Sequence, residues 1–103
     1  MAAIRTARAA TDPSPEALEQ VFHADKMEPR WWSNGPGDRY ARHSHPYHKV
    51  LFCSRGSIVF HTDEGDIELR PGDRLDVAPG TEHAATVGSE GVTCVEAPLS
   101  PEA

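Results

Sequence analysis

The chain has 103 residues, 38% of them hydrophobic and 25% charged, which predicts one compact domain with one core and excludes a second domain. Sixteen acidic residues against ten basic ones give a formal net charge of −6, so nucleic acid and anionic membranes are disfavoured as partners. Nine prolines and eight glycines break the chain into pieces that are too short for a helical bundle and that favour short strands joined by turns.

Two further features bear on where such a protein works. No apolar stretch approaches the roughly 18 residues of a membrane span, and the first ten residues carry Arg5 and Arg8 without an apolar core. These features predict a soluble cytoplasmic protein. Cys53 and Cys94 are too few for a disulfide framework and too far apart for a zinc-binding pair, so free buried thiols are expected.

The N-terminal part predicts an arm followed by a short helix. Residues 1–13 are rich in Ala and Arg without a periodic apolar pattern, which predicts a mobile arm, and residues 14–103 are expected to form the single domain. Ser14 can cap a helix that has Pro15 at its first position and that ends before Pro29. One face of this helix carries Leu18, Val21 and Phe22.

An aromatic pair follows the helix. Trp31 and Trp32 precede a turn with the sequence Asn-Gly-Pro-Gly at positions 34–37. Such a pair most often packs at a sheet edge or a subunit contact, and less often lies over a ligand. We therefore expect packing.

From Tyr40 onward, short apolar runs alternate with turn residues, which is typical of strands. Predicted strands cover residues 49–54, 57–62, 66–70, 74–77, 84–87 and 92–96. Turn signals about every eight to twelve residues favour an antiparallel sandwich or barrel. The predicted fold class is therefore all-β with a short N-terminal helix.

Three of the six histidines suggest a metal site. On a strand, residues two apart point to the same face, so His43 and His45 can present two imidazoles to one ion, and His83 can supply a third if the barrel closes. Neutral imidazole suits zinc, copper, iron and nickel. A His-x-His pair by itself arises readily by chance and would favour surface residues, but the surrounding glycines change that balance.

The spacing of these residues resembles the first motif of the cupin family. In that motif Gly37 is followed after five residues by His43, after one more by His45, after three more by Lys49, and after a further six by Gly56. Glycines at such positions fit turns between curved strands, which need a positive φ or a close approach of two backbones.

The second cupin motif matches less fully, because Ala78 stands where its proline is usual, between Gly72 and the pair Gly80 and His83. The resemblance covers about residues 37–87. It implies a cupin-type antiparallel jelly-roll barrel that holds a divalent metal, with His43, His45 and His83 as three of its four usual ligands.

The fourth ligand position departs from the family, which has glutamate where this chain has Lys49. An ammonium about 4 Å from a dication would be repelled by roughly 8 kcal/mol at an effective dielectric constant near 20. Three alternatives stay open: Lys49 is deprotonated, it turns to the cavity mouth, or the metal binds weakly or is absent. His48, Asp76 and Glu82 have the wrong strand parity to replace the missing carboxylate.

These observations predict a small metal-binding cupin that binds or converts a small polar molecule in its cavity, with Lys49 in contact with that molecule. The expected cofactor is a divalent transition metal such as Zn, Fe, Ni, Mn or Cu, and no reaction type follows from the spacing. The alternative is a non-catalytic, metal-free module in which Lys49 recognises an anion. The exposed strand edges and the Trp31–Trp32 pair also predict a homodimer, formed by sheet pairing or by aromatic burial, and small cupins that resemble this chain commonly associate.

Overall fold

The computed structural model describes residues 3–99 as seven strands and one helix. In chain order these are β1 (Ile4–Ala7), α1 (Pro15–Ala24), β2 (Arg30–Asn34), β3 (Arg39–His43), β4 (His48–Thr62), β5 (Gly65–Leu69), β6 (Arg74–Val77) and β7 (His83–Leu99). Both the predicted arm over residues 1–13 and the predicted domain over residues 14–103 extend past the described residues, at positions 1–2 and 100–103.

The strands form one antiparallel sheet that curls into a jelly-roll barrel, which confirms the predicted fold class. The strand order is β1-β6-β4-β7-β2, with β3 paired to β7 and β5 paired to β4. Strands β4 and β7 pair along most of their length, from His48 opposite Leu99 to Thr62 opposite His83. Strands β5 and β6 pair with β4, β2 and β3 pair with β7, and β1 pairs with β6.

The predicted helix forms where the capping signals place it. The Ser14 hydroxyl accepts a hydrogen bond from the Ala17 amide at 3.3 Å, and Pro15 occupies the first turn, where a missing N–H costs no hydrogen bond. Leu18 and Phe22 are fully buried against the sheet. Within residues 3–99, no helix has both the length and the apolar character needed to span a bilayer.

Strands β4 and β7 are longer than the sequence predicts. The runs expected as separate strands at 49–54 and 57–62 join in β4, and those at 84–87 and 92–96 join in β7. The pairing shifts register between Cys53 and Arg55 and again between Gly56 and Ile58. These irregularities bend the strands without ending them, so glycines that suggest a turn in the sequence mark a bulge instead.

The N-terminal segment contains a strand that the sequence pattern does not predict. Strand β1 pairs with β6, from Ile4 opposite Val77 to Ala7 opposite Arg74, whereas residues 1–13 were expected to be a mobile arm. Asp73 holds the segment that follows β1, because its carboxylate accepts hydrogen bonds from the Ala9 amide at 2.8 Å and from the Arg8 guanidinium at 2.9 Å. Four residues of strand are too few to show a periodic pattern, so tertiary contacts decide this element.

Two hydrophobic clusters lie on opposite faces of the β4–β7 pair. Alternate residues of β4 point to opposite faces, so Leu51 and Cys53 lie inside the barrel whereas Val50 and Phe52 pack beneath the helix. The inner cluster also holds Cys94, directly opposite Cys53, and both thiols are free and buried, as expected. Because both faces of these strands are covered, their sequences read as nearly continuous apolar runs.

Candidate metal centre

Three histidines from two strands and one loop meet at one end of the barrel. His43 ends β3 and lies directly opposite His83, the first residue of β7. His45 lies in the loop between β3 and β4, so the prediction that it shares a strand with His43 is wrong. The loop nevertheless brings its ring beside the other two, because the chain must turn there to begin β4.

The three imidazoles are close enough to share one ion. Their ring centroids are 4.9 Å apart for His43 and His45, 4.5 Å for His43 and His83, and 5.4 Å for His45 and His83. One nitrogen from each ring lies within 4.8 Å of the corresponding nitrogen of the others. The structure thus brings together the three histidines that the motif spacing selects.

Backbone carbonyls fix the orientation of two of these rings. Nδ1 of His43 lies 2.6 Å from the carbonyl oxygen of Ala41, and Nδ1 of His83 lies 3.0 Å from that of Thr81. A carbonyl oxygen can only accept a hydrogen bond, so in each neutral ring Nδ1 carries the proton and Nε2 keeps a free lone pair. This is the arrangement that a metal-binding imidazole needs.

Two of the free nitrogens are buried without a partner. Among residues 3–99, the Nε2 atoms of His45 and His83 have no hydrogen-bond partner and no exposure to solvent. Buried polar atoms are usually hydrogen-bonded, so orphaned ones in a cluster call for an explanation. A bound ion would explain them, because it would accept the nitrogen lone pairs that no group of the protein uses.

The protonation equilibria favour the neutral form that metals require. Burial lowers the pKa of His83 below its usual range and outweighs the hydrogen bond to the Thr81 carbonyl, which raises it, and the nearby charge of Lys49 lowers it further. Burial likewise lowers the pKa of His45, again with a contribution from Lys49. Both rings are therefore neutral at pH 7, when they can donate a lone pair to a divalent ion.

The residues present fit a divalent transition metal. A tetrahedral zinc ion with bonds of about 2.1 Å to nitrogen would need its ligand nitrogens about 3.4 Å apart. The nitrogens here lie within 4.8 Å of one another, so they would need to approach by up to about 1.4 Å. Side-chain rotations of that size are ordinary for half-buried rings such as His43 and His45. The neutral three-imidazole set suits Zn, Cu, Fe and Ni better than a hard cation such as Mg²⁺.

Lys49 lies inside the barrel rather than at its mouth. The residue is 8% exposed, and its ammonium lies 3.0 Å from Oε1 of Glu96 on β7. The same oxygen accepts a hydrogen bond from the indole N–H of Trp32 at 2.9 Å. Glu96 was not among the predicted site residues, although it shares strand parity with Val92 and Cys94 and so points into the barrel.

His43 and His83 line a cavity of about 220 Å³. Its wall combines aromatic and aliphatic side chains with a few polar and charged ones, and it is lined by Trp32, Tyr40, His43, Lys49, Ile58, Phe60, His83, Ala85 and Glu96. Burial and nearby negative groups raise the pKa of Tyr40, so its hydroxyl stays protonated. The cavity can enclose a small molecule that combines an apolar body with polar substituents.

The two tryptophans have different surroundings. Trp31 packs in the cluster beneath the helix, and its indole N–H donates to Oε2 of Glu19 at 2.6 Å. Trp32 instead contacts Tyr40 edge-to-face, with ring centroids 5.7 Å apart, and lines the cavity. The expectation of packing holds for Trp31, whereas Trp32 borders the candidate ligand site because adjacent residues on a strand face opposite sides.

The other polar residues singled out in the sequence lie away from the histidines. His48 faces the opposite side of β4, where Nε2 lies 2.9 Å from Oδ1 of Asp76. Burial alone would raise the pKa of Asp76, but hydrogen bonds from Arg74 and His48 outweigh it and lower that pKa. Glu82 forms an ion pair with Arg42 at 2.7 Å on the exposed surface. None of these carboxylates takes the place of the missing ligand.

Residues 33–95 match the protein family described as "AraC-like ligand binding domain". A 59-residue segment, 55% of this chain, is 41% identical to quercetin 2,3-dioxygenase of Bacillus subtilis (strain 168). That segment corresponds to 18% of the length of the dioxygenase, so this chain spans less than a fifth of that relative.

Solved cupin structures have the same fold. A cupin superfamily protein from Desulfitobacterium hafniense DCB-2 superposes with a TM-score of 0.65 at 17% identity, over 95% of this chain and 78% of that one. An RmlC-like cupin from Shewanella frigidimarina NCIMB 400 gives a TM-score of 0.62 at 20% identity, over 74% of this chain and 68% of that one. At these identities the likeness establishes the fold alone.

Proposed function

The chain belongs to the AraC-like ligand binding domain family and is a small cupin, and from this premise we propose that it holds a divalent transition metal with His43, His45 and His83. The observation that carries the proposal is the convergence of three imidazoles, two of which have Nδ1 on a backbone carbonyl. A metal bound by these three imidazoles would supply Lewis-acid chemistry to a molecule in the cavity.

The cavity beside the histidines is the proposed binding site for a small polar molecule, which the protein binds or converts. Lys49 and Glu96 offer a charged donor and a charged acceptor on one wall, and Lys49 has N–H groups beyond the one that faces Glu96. Trp32 and Phe60 supply apolar wall that limits access of water to the bound molecule. In this proposal Lys49 contacts the ligand directly.

The metal-free alternative, in which Lys49 recognises an anion alone, has less support. An anion would have to compete with the Glu96 carboxylate, which already faces the ammonium at 3.0 Å. The alternative also leaves two buried imidazole nitrogens without a role. The metal-binding proposal accounts for both features.

Metal analysis of protein purified without an affinity tag tests the proposal. After reconstitution with Zn²⁺ or Co²⁺ and removal of excess ion, we expect about one metal atom per chain for the wild type and fewer than about 0.2 for His43→Ala. His23→Ala is the matched control, since His23 is exposed on α1 and should leave the metal content unchanged. A wild type that retains less than about 0.2 atoms per chain would favour the anion-binding alternative.

We also propose that the chain forms a homodimer. Strands β1 and β2 end the strand path of the described sheet and leave backbone groups available for pairing with a second copy. Both indole N–H groups donate hydrogen bonds within the chain, to Glu19 and Glu96. We therefore place the proposed contact between the two copies at these strand edges and not at the tryptophans. Light scattering should give about twice the 11.2 kDa chain mass at micromolar concentration, and a monomer would contradict the proposal.

A further inference from the structure

The contact between Lys49 and Glu96 arises from the register of three strands. Glu96 lies opposite Leu51 on β4, so Lys49, two residues before Leu51, is its diagonal neighbour on the same face. Trp32 lies opposite Cys94 on the other side of β7, so it too is a diagonal neighbour of Glu96. One carboxylate oxygen therefore receives a donor from each flanking strand.

Burial makes this contact necessary. The Lys49 side chain is 9% exposed and that of Glu96 is 22% exposed, so each charge lies largely out of water and requires an opposite charge nearby. Of the residues that line the described cavity, Glu96 is the only one with a carboxylate. Asp76 and Glu82 are held by other partners outside the cavity. Without Glu96, the other side chains that line the cavity would offer the ammonium no opposite charge.

A second tryptophan–glutamate contact on the other side of the sheet serves as an internal comparison. Trp31 donates to Glu19 as Trp32 donates to Glu96, but within residues 3–99 Glu19 forms no ion pair with a lysine, and it does not line the cavity that His43 and His83 border. An indole partner is therefore enough to hold a glutamate at such a position. The feature that distinguishes Glu96 is the buried ammonium that shares its cavity with His43 and His83.

We infer that Glu96 is a positioning residue for the three-histidine centre: it holds the Lys49 ammonium against β7 and neutralises it, so that a divalent ion can bind although lysine occupies the position where related proteins place a ligand glutamate. This inference rests on the proposed function. Loss of the Glu96 charge releases Lys49, whose ammonium then turns toward the imidazoles and repels the ion. The effect of Glu96 on the metal is exerted through Lys49.

A double-mutant cycle tests the inference on the full chain, tag-free and stripped with EDTA. The affinity for Co²⁺ is measured by calorimetry for the wild type, Glu96→Gln, Lys49→Met and the double variant, and thermal unfolding in EDTA checks that each is folded. We expect Glu96→Gln to weaken Co²⁺ binding at least tenfold when Lys49 is present and at most about threefold in the Lys49→Met background. Glu19→Gln, the matched control, should change the affinity less than about twofold.

Three results would overturn the inference in distinguishable ways. An equal loss in the wild-type and Lys49→Met backgrounds would show that Glu96 acts on the metal directly. A wild-type affinity in Glu96→Gln would show that the pair is only structural. Absence of Co²⁺ binding by the wild type would remove the proposed function itself. If Glu96→Gln does not fold, Lys49→Met decides by itself: binding at least about threefold tighter supports the inference, and unchanged or weaker binding refutes it.

Discussion

The properties of the candidate site depend on which ring nitrogens carry protons. Nδ1 of His43 and Nδ1 of His83 each donate a hydrogen bond to the carbonyl oxygen of the residue two positions earlier in the chain. The local backbone therefore determines that Nε2 is the nitrogen available to an ion. No long-range contact is required for this orientation. It therefore follows from the chain geometry at the end of β3 and the start of β7.

Burial of His83 predicts a pH dependence of stability. The pKa of His83 in the folded chain is below that of an unfolded histidine, which is about 6.5. Below pH 6.5, His83 therefore binds a proton more readily in the unfolded chain than in the folded one. The contribution of His83 to the free energy of unfolding should be constant above pH 7. It should fall by up to about 1.4 kcal/mol per pH unit as the pH drops through 6.5 toward the folded pKa.

Urea unfolding of the metal-free protein at pH 7.5 and pH 5.5 measures this effect. The variant His83→Asn does not titrate at this position, so only the wild type loses the His83 contribution to the free energy of unfolding at pH 5.5. The difference in free energy of unfolding between the wild type and His83→Asn should therefore be smaller at pH 5.5 than at pH 7.5. The difference in free energy of unfolding between the two proteins is the quantity to follow, since carboxylates and other histidines affect both alike. A difference that is the same at the two pH values would contradict the pKa shift.

Among the secondary-structure elements, the long strands β4 and β7 depend on one close backbone approach. Gly56 has φ of +74°, and a Cβ atom there would lie 2.0 Å from the carbonyl oxygen of Gly91. Backbone cannot move aside as a flexible side chain can, so the strands could not keep their pairing. The glycine required at the end of the first motif thus has a steric reason in this chain.

Substitution of Gly56 is expected to be much more costly than substitution of another motif glycine. Gly37 has a similar φ of +75° but open space around the Cβ position, so Gly37→Ala should cost only the left-handed backbone strain of about 1–2 kcal/mol. Gly56→Ala adds the clash and should cost at least about 3 kcal/mol or abolish folding. Urea unfolding compares the two, and equal losses would refute the steric explanation.

Secondary structure was predictable where local chemistry decides it. The cap at Ser14, the alternating pattern of β6 and the turn between β4 and β5 all occur where the sequence indicates them. Strand β1 was not predicted, and the bulges of β4 and β7 looked like turns. In these cases the deciding interactions are with residues distant in the chain, which a local pattern does not report.

At the scale of the whole molecule, the barrel and the helix share one pair of strands. The β4–β7 pair separates the cluster inside the barrel from the cluster beneath the helix, so a change in its register would disturb both cores at once. The same register brings Lys49 beside Glu96, and the pairing of β3 with β7 places His43 opposite His83. The geometry of the candidate site is thus tied to the main packing interaction of the fold.

The site was predictable only in part for the same reason. His43, His45 and His83 could be selected because the spacing of the family motifs identifies them within the sequence, although His45 lies in a loop and not on the predicted strand. Glu96 and Trp32 join the site through diagonal contacts across β7, and such contacts require the register of three strands to be known. A lysine that faces the interior of a barrel needs an opposite charge nearby, but the sequence does not say which strand carries that charge.

The central claim is that three imidazoles at one end of this barrel hold a single divalent ion. Anomalous diffraction from crystals of the Co²⁺-loaded, tag-free protein, collected on both sides of the cobalt edge, tests it most directly. We predict one strong anomalous peak within about 2.0–2.3 Å of a nitrogen from each of His43, His45 and His83. An absence of any peak there at saturating Co²⁺, or a peak held only by other residues, would contradict the account.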